Sequence, residues 1–411
     1  MLNWSKQFSI LIFLDSNEYP SLQGRYECLL ATGSHDGHTI TGLNALGTAH
    51  SDRPDWLFGH IGYDYKNTLE PRLSSRHEPR TGFPDFHFFC PETVCHISKD
   101  GASLTIETLH TDPHEVFAAI LHAGLPVDAR LPEIVFQQRI DQQAYLAAVG
   151  QLRRHIADGD CYEINFCAEG YCENISVDPF AVFRALNKLS PAPFAACYRL
   201  HDRYMMCASP ERYLQKTGSK ILSQPIKGTA RRDADAAKDE AIKKALQQNI
   251  KERAENVMIT DLVRNDLARC CETGSVQVEE LFGIYSFPQV HQMVSTVSGT
   301  LRADAGLADA IRFSFPMGSM TGAPKHMVMQ LTDRYEQSRR ELFSGTIGYI
   351  TPLGDFDFNV VIRSLFYNEA SGYLSYQTGG AITYDSDPAQ EWEERSLKAW
   401  ALEKIFKQEM V

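Results

Sequence analysis

At 411 residues, 43% of them apolar, the chain is long enough to bury one thick core or two smaller ones. A formal charge of −12, with no block of lysine or arginine, argues against a nucleic-acid partner, because phosphates need clustered cations. The ten cysteines include no CxxC pair, so zinc is not expected and they read as reduced, mostly buried thiols.

The apolar run from Phe8 to Leu14 is too short to span a membrane, and no small-residue cleavage site follows it. It reads as a buried strand of a cytoplasmic protein, ended by the turn Asp15-Ser16-Asn17. Residues 25–34 form a second strand, and WLFGHIGYDYKN (56–67) a strand whose glycines admit another backbone. FHFFCPETVCHIS (86–98) and SLTIETL (103–109) are expected as a strand pair joined by Lys99-Asp100-Gly101. A helix follows at 113–123. The pattern changes near residue 135, which divides the chain into a mostly β part, 1–134, and a second part, 135–411.

In the second part Asp141 can cap a helix over 142–158. Residues 161–173 alternate like a strand, 178–189 form a helix, and 194–200 with 203–209 form a hairpin around His201-Asp202. YLQKTG and KILSQP repeat that form and lead into Pro225-Ile226-Lys227-Gly228-Thr229. The longest helical stretch, 233–269, is expected to break near Asn249. Strand-like VQVEELF and VHQMVSTVSGTL follow, then a short helix at 306–313. Three antiparallel strands, 343–352, 356–368 and 372–383, precede a closing helix at 388–408. Many strands with helices inserted between them argue for an α+β fold rather than an alternating βα sheet.

Lys227 sits between a proline that fixes the backbone and a glycine that frees it, sixteen positions after Glu211. A lysine held so tightly is unlike the usual solvent-borne one, although the spacing alone also fits a surface turn. Glu255 shares a helix face with Met258, Ile259 and Leu262, and Glu394 leads Leu397 and Ala401 with Lys398 one turn away. Two inward carboxylates on separate helices would suit a hard cation such as Mg²⁺; each can instead be a surface ion pair, such as Glu394 with Lys398. PMGSMTGAPK (316–325) lacks the spacing of a phosphate loop, so ATP binding is not expected. Its glycine turn can still present N–H groups to a carboxylate, or simply start a helix. Gly379-Gly380 can expose amides to an anion or form a bulge. Arg363 is a cation inside an apolar strand and needs a counter-charge. His291 is a candidate acid or base, or a satisfied core histidine. No Ser/His/Asp order or nucleophile elbow stands out.

Together these stretches carry a resemblance. SPER (209–212), PIKGT (225–229), RAEN and DLVRNDLAR (253–269), VHQMVST (290–296), GSMTGAPK (318–325), GTIGY (345–349), IRS (362–364), GGAITYDSDP (379–388) and EWEERSLK (391–398) come in the order seen in chorismate-utilising enzymes. The resemblance covers roughly 135–405 and implies two large antiparallel sheets packed as a sandwich with helices outside. It implies Mg²⁺ held by Glu255 and Glu394. Arg363, Tyr349 and the Gly379-Gly380 amides would hold one carboxylate of chorismate, with Lys398 nearby and Thr321 and Gly322 binding the substrate. The branch rests on Lys227. Aminodeoxychorismate synthases carry Pro-Ile-Lys-Gly-Thr here, whereas anthranilate synthases have alanine for the lysine. The isochorismate-type enzymes place a lysine on an earlier strand, where CYEINFC puts Glu163. The resemblance then implies Lys227 as a nucleophile with its pKa lowered by burial beside Mg²⁺, Glu211 as general acid and His291 in support. Ammonia would come from a separate glutamine amidotransferase subunit. Ala381 departs from a third glycine common in the family. Ser16 matches a loop that binds tryptophan in relatives, or is an empty turn.

Overall fold

Alternation along the strands decides how they pack. In Arg203–Ser209, Met205 and Cys207 point into one apolar cluster while Tyr204, Met206 and Ala208 point into another. In Phe194–Leu200, Ala196 and Tyr198 separate from Ala195 and Cys197 in the same way. Both faces are covered, so these strands run apolar with no polar face.

The computed structural model describes residues 1–19, 24–35, 39–125, 130–287 and 290–407. Its strands pair antiparallel, among the described residues, into an eleven-stranded and a ten-stranded sheet, counting Gln137–Gln138 beside Glu163–Cys172 and Gln277–Ser286 beside Val290–Thr300, which lie off the two orders that follow. The first sheet runs in the order Gly322–Ala323, Glu163–Cys172, Tyr373–Ile382, Ser364–Asn368, Arg203–Ser209, Phe194–Leu200, Ile10–Asp15, Tyr26–Thr32, Thr93–Ser98 and Leu104–Thr108. The second runs Ile226–Arg231, Val290–Thr300, Lys220–Gln224, Arg212–Thr217, Phe356–Asn359, Thr346–Ile350, Leu57–Ile61, Phe86–Phe89 and Thr39–Ile40. Residues from both sides of position 135 therefore build both sheets: Ile10–Asp15 pairs with Phe194–Leu200, and Leu57–Ile61 with Thr346–Ile350.

The sheets pack face to face through Ile12, Leu29, Tyr198 and Cys207 of the first and Phe58, Leu214, Ile347 and Phe358 of the second. Helices cover the outside: Val182, Phe183 and Leu186 meet Met206 and Leu374, and Tyr145, Val149 and Leu152 meet Phe166 and Ile382. The result is the expected α+β sandwich. Several long helices begin where a short polar side chain takes the first free N–H groups. Asp141 accepts from Ala144 N–H, Asp178 from Phe180 N–H, and Asp387 from Ala389 and Gln390 N–H. Asn249 accepts from Glu252 N–H and divides Ala236–Gln248 from Ile250–Ala268. The closing helix runs Pro388–Lys404; the expected end at 408 lies outside the described residues. Among the described residues no helix is long and apolar enough to cross a membrane.

Two expected strands are each divided between the sheets. In 86–98, Phe86–Phe89 belongs to the second sheet and Thr93–Ser98 to the first, with Pro91 at the crossing, where no ladder N–H is available. In 356–368, Phe356–Asn359 belongs to the second and Ser364–Asn368 to the first. Arg363 thus lies at a crossing rather than inside a strand, with φ +50°.

Candidate active site

Lys227 lies on Ile226–Arg231, an outer strand of the second sheet, where the register against Val290–Thr300 shifts between Ile226 and Thr229. Gly228 takes φ +95° in that irregularity, and a side chain there would start 3.1 Å from Glu252 Oε2. The bulge turns Lys227 inward, because one extra residue re-aims the side chains that follow it. Lys227 is 8% exposed, and its Nζ lies 2.5 Å from Glu163 Oε1. Glu163 opens Glu163–Cys172 of the first sheet, so this pair ties the two sheets together; a surface turn is not what forms. Burial alone pushes the Lys227 ammonium down. Glu163, Glu255 and Glu211 outweigh it, and the net direction is up. Glu163 stands at ion-pair distance and is the first of these charges to oppose burial.

Glu211 precedes Arg212–Thr217 and is buried. Burial raises its carboxyl to about 7, against Ser319, Lys227, the Ile226 N–H and Arg363, which all lower it. It can therefore carry a proton near neutrality. Burial lowers the Arg363 pKa, and Glu211 and Tyr19 oppose that. Among the described residues its guanidinium has no hydrogen bond or ion pair, so the counter-charge it needs is left to a ligand.

Glutamates gather on the other side of Lys227. Glu255 points inward from Ile250–Ala268 at 9% exposure, and burial raises it to about 7, with repulsion from Glu163 and Glu252 adding to the shift. On the closing helix the buried carboxylate is Glu391, at 3%, whereas the Glu394 side chain is 47% exposed. The expected stripe with Leu397 does not form: Leu397 is 59% exposed, and Glu391, Arg395, Ala399 and Leu402 face inward. Glu394 pairs with Lys398 at 2.7 Å, and Lys398 also donates to the Gly379 carbonyl at 2.9 Å. That attraction to Lys398 pulls the Glu394 pKa down, while burial pushes Glu391 up. A carbon added at Gly380 would sit 2.9 Å from Glu391 Oε2 and 3.4 Å from Glu394 Oε1. Gly379 and Gly380 thus border the glutamates, each paired with Glu163–Cys172 on one edge.

Lys251 approaches Glu255 at 3.8 Å and Glu391 at 3.9 Å. With Glu252, four carboxylates share two lysines, and Glu391 Oε2 is buried with no hydrogen bond. Among the described residues no three such side chains stand close enough to hold an ion by themselves. Mg²⁺ commonly takes one or two carboxylates and fills its shell with water and substrate oxygens, so this acidic wall fits it. Glu252 and Glu391 were missed in the sequence, and Glu163, singled out there, was not expected to pair with Lys227. The repeated E-x-x-E spacing, Glu252/Glu255 and Glu391/Glu394, was the available signal.

Other candidates lie elsewhere or are already engaged. Tyr349 packs its ring against Tyr26, Trp56 and Phe58 at 5.8–6.0 Å and lines a cavity between the sheets with Ser16, so its expected place beside Arg363 is corrected. It faces inward from the middle of the second sheet, opposite Tyr26. Ser16 donates to Glu27 at 2.7 Å and accepts from Lys99 at 2.6 Å. His291 is filled on both ring nitrogens, by Ser286 at 2.8 Å and Asp239 at 2.9 Å. Thr321 spends its hydroxyl proton on the Met317 and Gly318 carbonyls, and Gly322 pairs with Ile164. Lys325 braces Asp266 at 2.7 Å.

A cation, a nucleophile-capable lysine and a protonatable carboxyl thus stand close enough to influence one another, beside an acidic wall. Residues 17–404 match the model of the chorismate binding enzyme family. The chain belongs to that family. It is 35% identical over 337 residues to aminodeoxychorismate synthase component 1 of Klebsiella aerogenes, covering 82% of this chain and 74% of that one. It is 42% identical over 270 residues to aminodeoxychorismate synthase of Streptomyces griseus, where the match covers 65% of this chain but only 37% of the relative. Among solved structures of this chorismate binding family, anthranilate synthase component I of Streptococcus pneumoniae superposes with a TM-score of 0.81 at 25% identity, over 95% of this chain and 94% of that one.

Proposed function

We propose that this chain is the synthase component that aminates chorismate to 4-amino-4-deoxychorismate, for 4-aminobenzoate and folate synthesis in the cytoplasm. Ammonia comes from a separate glutamine amidotransferase subunit. The observation that carries the reading is Lys227, turned inward by its bulge and buried in a cleft with Glu211 and Arg363. The relatives named aminodeoxychorismate synthase component 1 support it.

Arg363, with no partner of its own, binds a substrate carboxylate. Glu255 and Glu394, joined by Glu252 and Glu391, would hold Mg²⁺, which supplies an electron sink at the ring carboxylate. Lys227 Nζ forms a bond to ring C2 as the C4–O bond breaks, and Glu211 gives its proton to the departing hydroxyl. Ammonia then bonds to C4 as the C2–Nζ bond breaks, and Glu211 recovers a proton from the new amine. His291, held by Ser286 and Asp239, has no transfer of its own. Ser16 is already paired with Glu27 and Lys99, so this reading gives it no ligand.

The test is incubation of purified protein with chorismate, Mg²⁺ and an ammonium salt. Formation of 4-amino-4-deoxychorismate, seen by chromatography, is expected. Direct release of fluorescent anthranilate would overturn the reading.

A further inference from the structure

A lysine cannot attack while it carries its proton, and Lys227 Nζ sits in a buried ion pair with Glu163. Amination through Lys227, the reading on which the proposal depends, therefore needs a group that takes this proton before attack and returns it when the nitrogen leaves C2. Glu211 is committed to the C4 side. Bulk water does not reach Nζ freely, since Lys227 is 8% and Glu163 1% exposed.

We propose that Glu163 is a further catalytic residue, a base and acid that shuttles one proton to and from Lys227 Nζ. Its Oε1 lies 2.5 Å from Nζ, within direct transfer distance. Its Oε2 is buried with no hydrogen-bond partner, so no second donor holds the carboxylate in its charged form. Its position is also imposed from behind. Gly322 pairs with Ile164 and takes φ +140°, and a side chain there would start 2.1 Å from the Glu163 carbonyl oxygen. The glycine turn thus clamps the backbone of Glu163, fixing the carboxylate against the lysine.

The protons balance. At rest the pair is ammonium and carboxylate. One proton passes from Nζ to Glu163 Oε1, leaving a neutral amine and a carboxylic acid. The amine bonds to C2 while water leaves from C4 with the Glu211 proton. After ammonia has bonded to C4, the C2–Nζ bond breaks, and Glu163 returns its proton to the departing Nζ. Glu211 takes one proton from the C4 ammonium. Both glutamates and the lysine end as they began, and the net change is chorismate plus ammonia to 4-amino-4-deoxychorismate plus water.

The internal transfer has a signature. Ion pair and neutral pair carry the same number of protons, so their ratio does not change with pH. Once Glu163 cannot accept, the Lys227 proton must leave to solvent, and the fraction of neutral amine rises tenfold per pH unit below the lysine pKa. The experiment is Glu163→Gln, nearly the same size and unable to accept the proton, compared with wild type for kcat and KM from pH 6.5 to 9.5, with melting temperature as the check on folding. The wild-type arm tests the amination itself. We expect kcat at pH 7.5 to fall on the order of 10²-fold, KM for chorismate to stay within about threefold, and the deficit to shrink as pH rises. Glu163→Asp, a carboxylate drawn back by one methylene, keeps part of the rate and the wild-type pH profile. Wild-type kcat in Glu163→Gln, or a loss of equal size at every pH, would overturn the proposal, because a merely structural glutamate gives the second pattern.

Discussion

The two sheets enclose two polar places, and they differ in what is left unpaired. Around Ser16, Lys99 meets Glu27 at 2.9 Å, Arg212 grips both oxygens of Asp357 at 2.8 and 2.9 Å, and Gln215 adds a third bond at 3.0 Å. In the cleft, Arg363 has no partner among the described residues, and Glu163 Oε2 and Glu391 Oε2 are buried without hydrogen bonds. Burying an unpaired polar group costs stability, so an unpaired set persists where a ligand completes it, whereas a paired set stabilises the fold by itself. Substituting Arg363, an unpaired group of the cleft, should therefore change catalysis and spare stability, whereas breaking the Lys227–Glu163 pair should cost both. Substitutions around the cavity should lower stability and spare catalysis.

The largest effect expected is from Lys227→Ala, a fall in kcat on the order of 10³-fold or more in the ammonium-dependent assay. A variant that keeps its rate would remove the cleft from the comparison. On the cavity side, Arg212→Met removes two of the three bonds to Asp357 and, among the described residues, its only cation within reach, leaving the bond from Gln215. Breaking one partner of a buried pair costs about 3–5 kcal/mol, to be read from a urea unfolding midpoint. No loss of stability would show that the cavity's pairing is not structural.

A third place, the core between the sheets, sharpens the contrast through pH. His60 shares Tyr198 OH with His87, at 3.1 and 3.3 Å, and donates from Nε2 to the Pro84 carbonyl at 2.7 Å. Burial lowers the pKa of His60 to about 3 and that of His87 to about 4, both from 6.5. The fold therefore favours the neutral rings. The unfolded chain binds more protons below pH 6.5, so stability is full above 6.5 and falls as pH drops toward 4. Between pH 7 and 5 each ring should cost about 2 kcal/mol, measured by unfolding at both values. His60→Asn should roughly halve that dependence, leaving the share of His87, and an unchanged slope would rule His60 out as a source. Next in size is Arg363→Gln. KM for chorismate should rise about 10- to 100-fold through loss of a charge-assisted contact, while the melting temperature does not fall. A clear drop in melting temperature would mean that Arg363 is a structural cation after all.

Strand alternation and capping side chains were legible because they are local: Asp141, Asp178 and Asn249 act within three residues. Lys227 stood out for the same reason, being framed by Pro225 and Gly228. Membership of one sheet or the other was not legible. A period of two looks alike in either, so the crossings at Pro91 and at 360–363 read as continuous strand. The resemblance put Tyr349 beside Arg363, and nothing local could correct it, since an inward tyrosine looks alike in either chamber. On the closing helix, Leu397 and Ala401 drew the inward face to Glu394, although Arg395, Ala399 and Leu402 continue the face of Glu391. Long-range pairs such as Glu163 with Lys227, sixty-four residues apart, leave no local trace.

The smallest effect tests whether the two places are independent. Ser16 Oγ joins Glu27 to Lys99 but touches nothing in the cleft. Ser16→Ala removes one donor and one acceptor from a part-buried network that keeps its ion pair, so the loss should be about 1 kcal/mol of stability. Glu27 would still accept from Lys99 and from the Glu18 N–H at 2.7 Å, which limits the damage. The rate of amination should stay within twofold of wild type. A larger fall in kcat with unchanged stability would mean that the cavity reaches the cleft. Tyr19 is the residue through which it would act: it lines the cavity, and its charge and that of Arg363 influence each other. Tyr19→Phe should then reproduce the fall, whereas independent chambers leave both variants active.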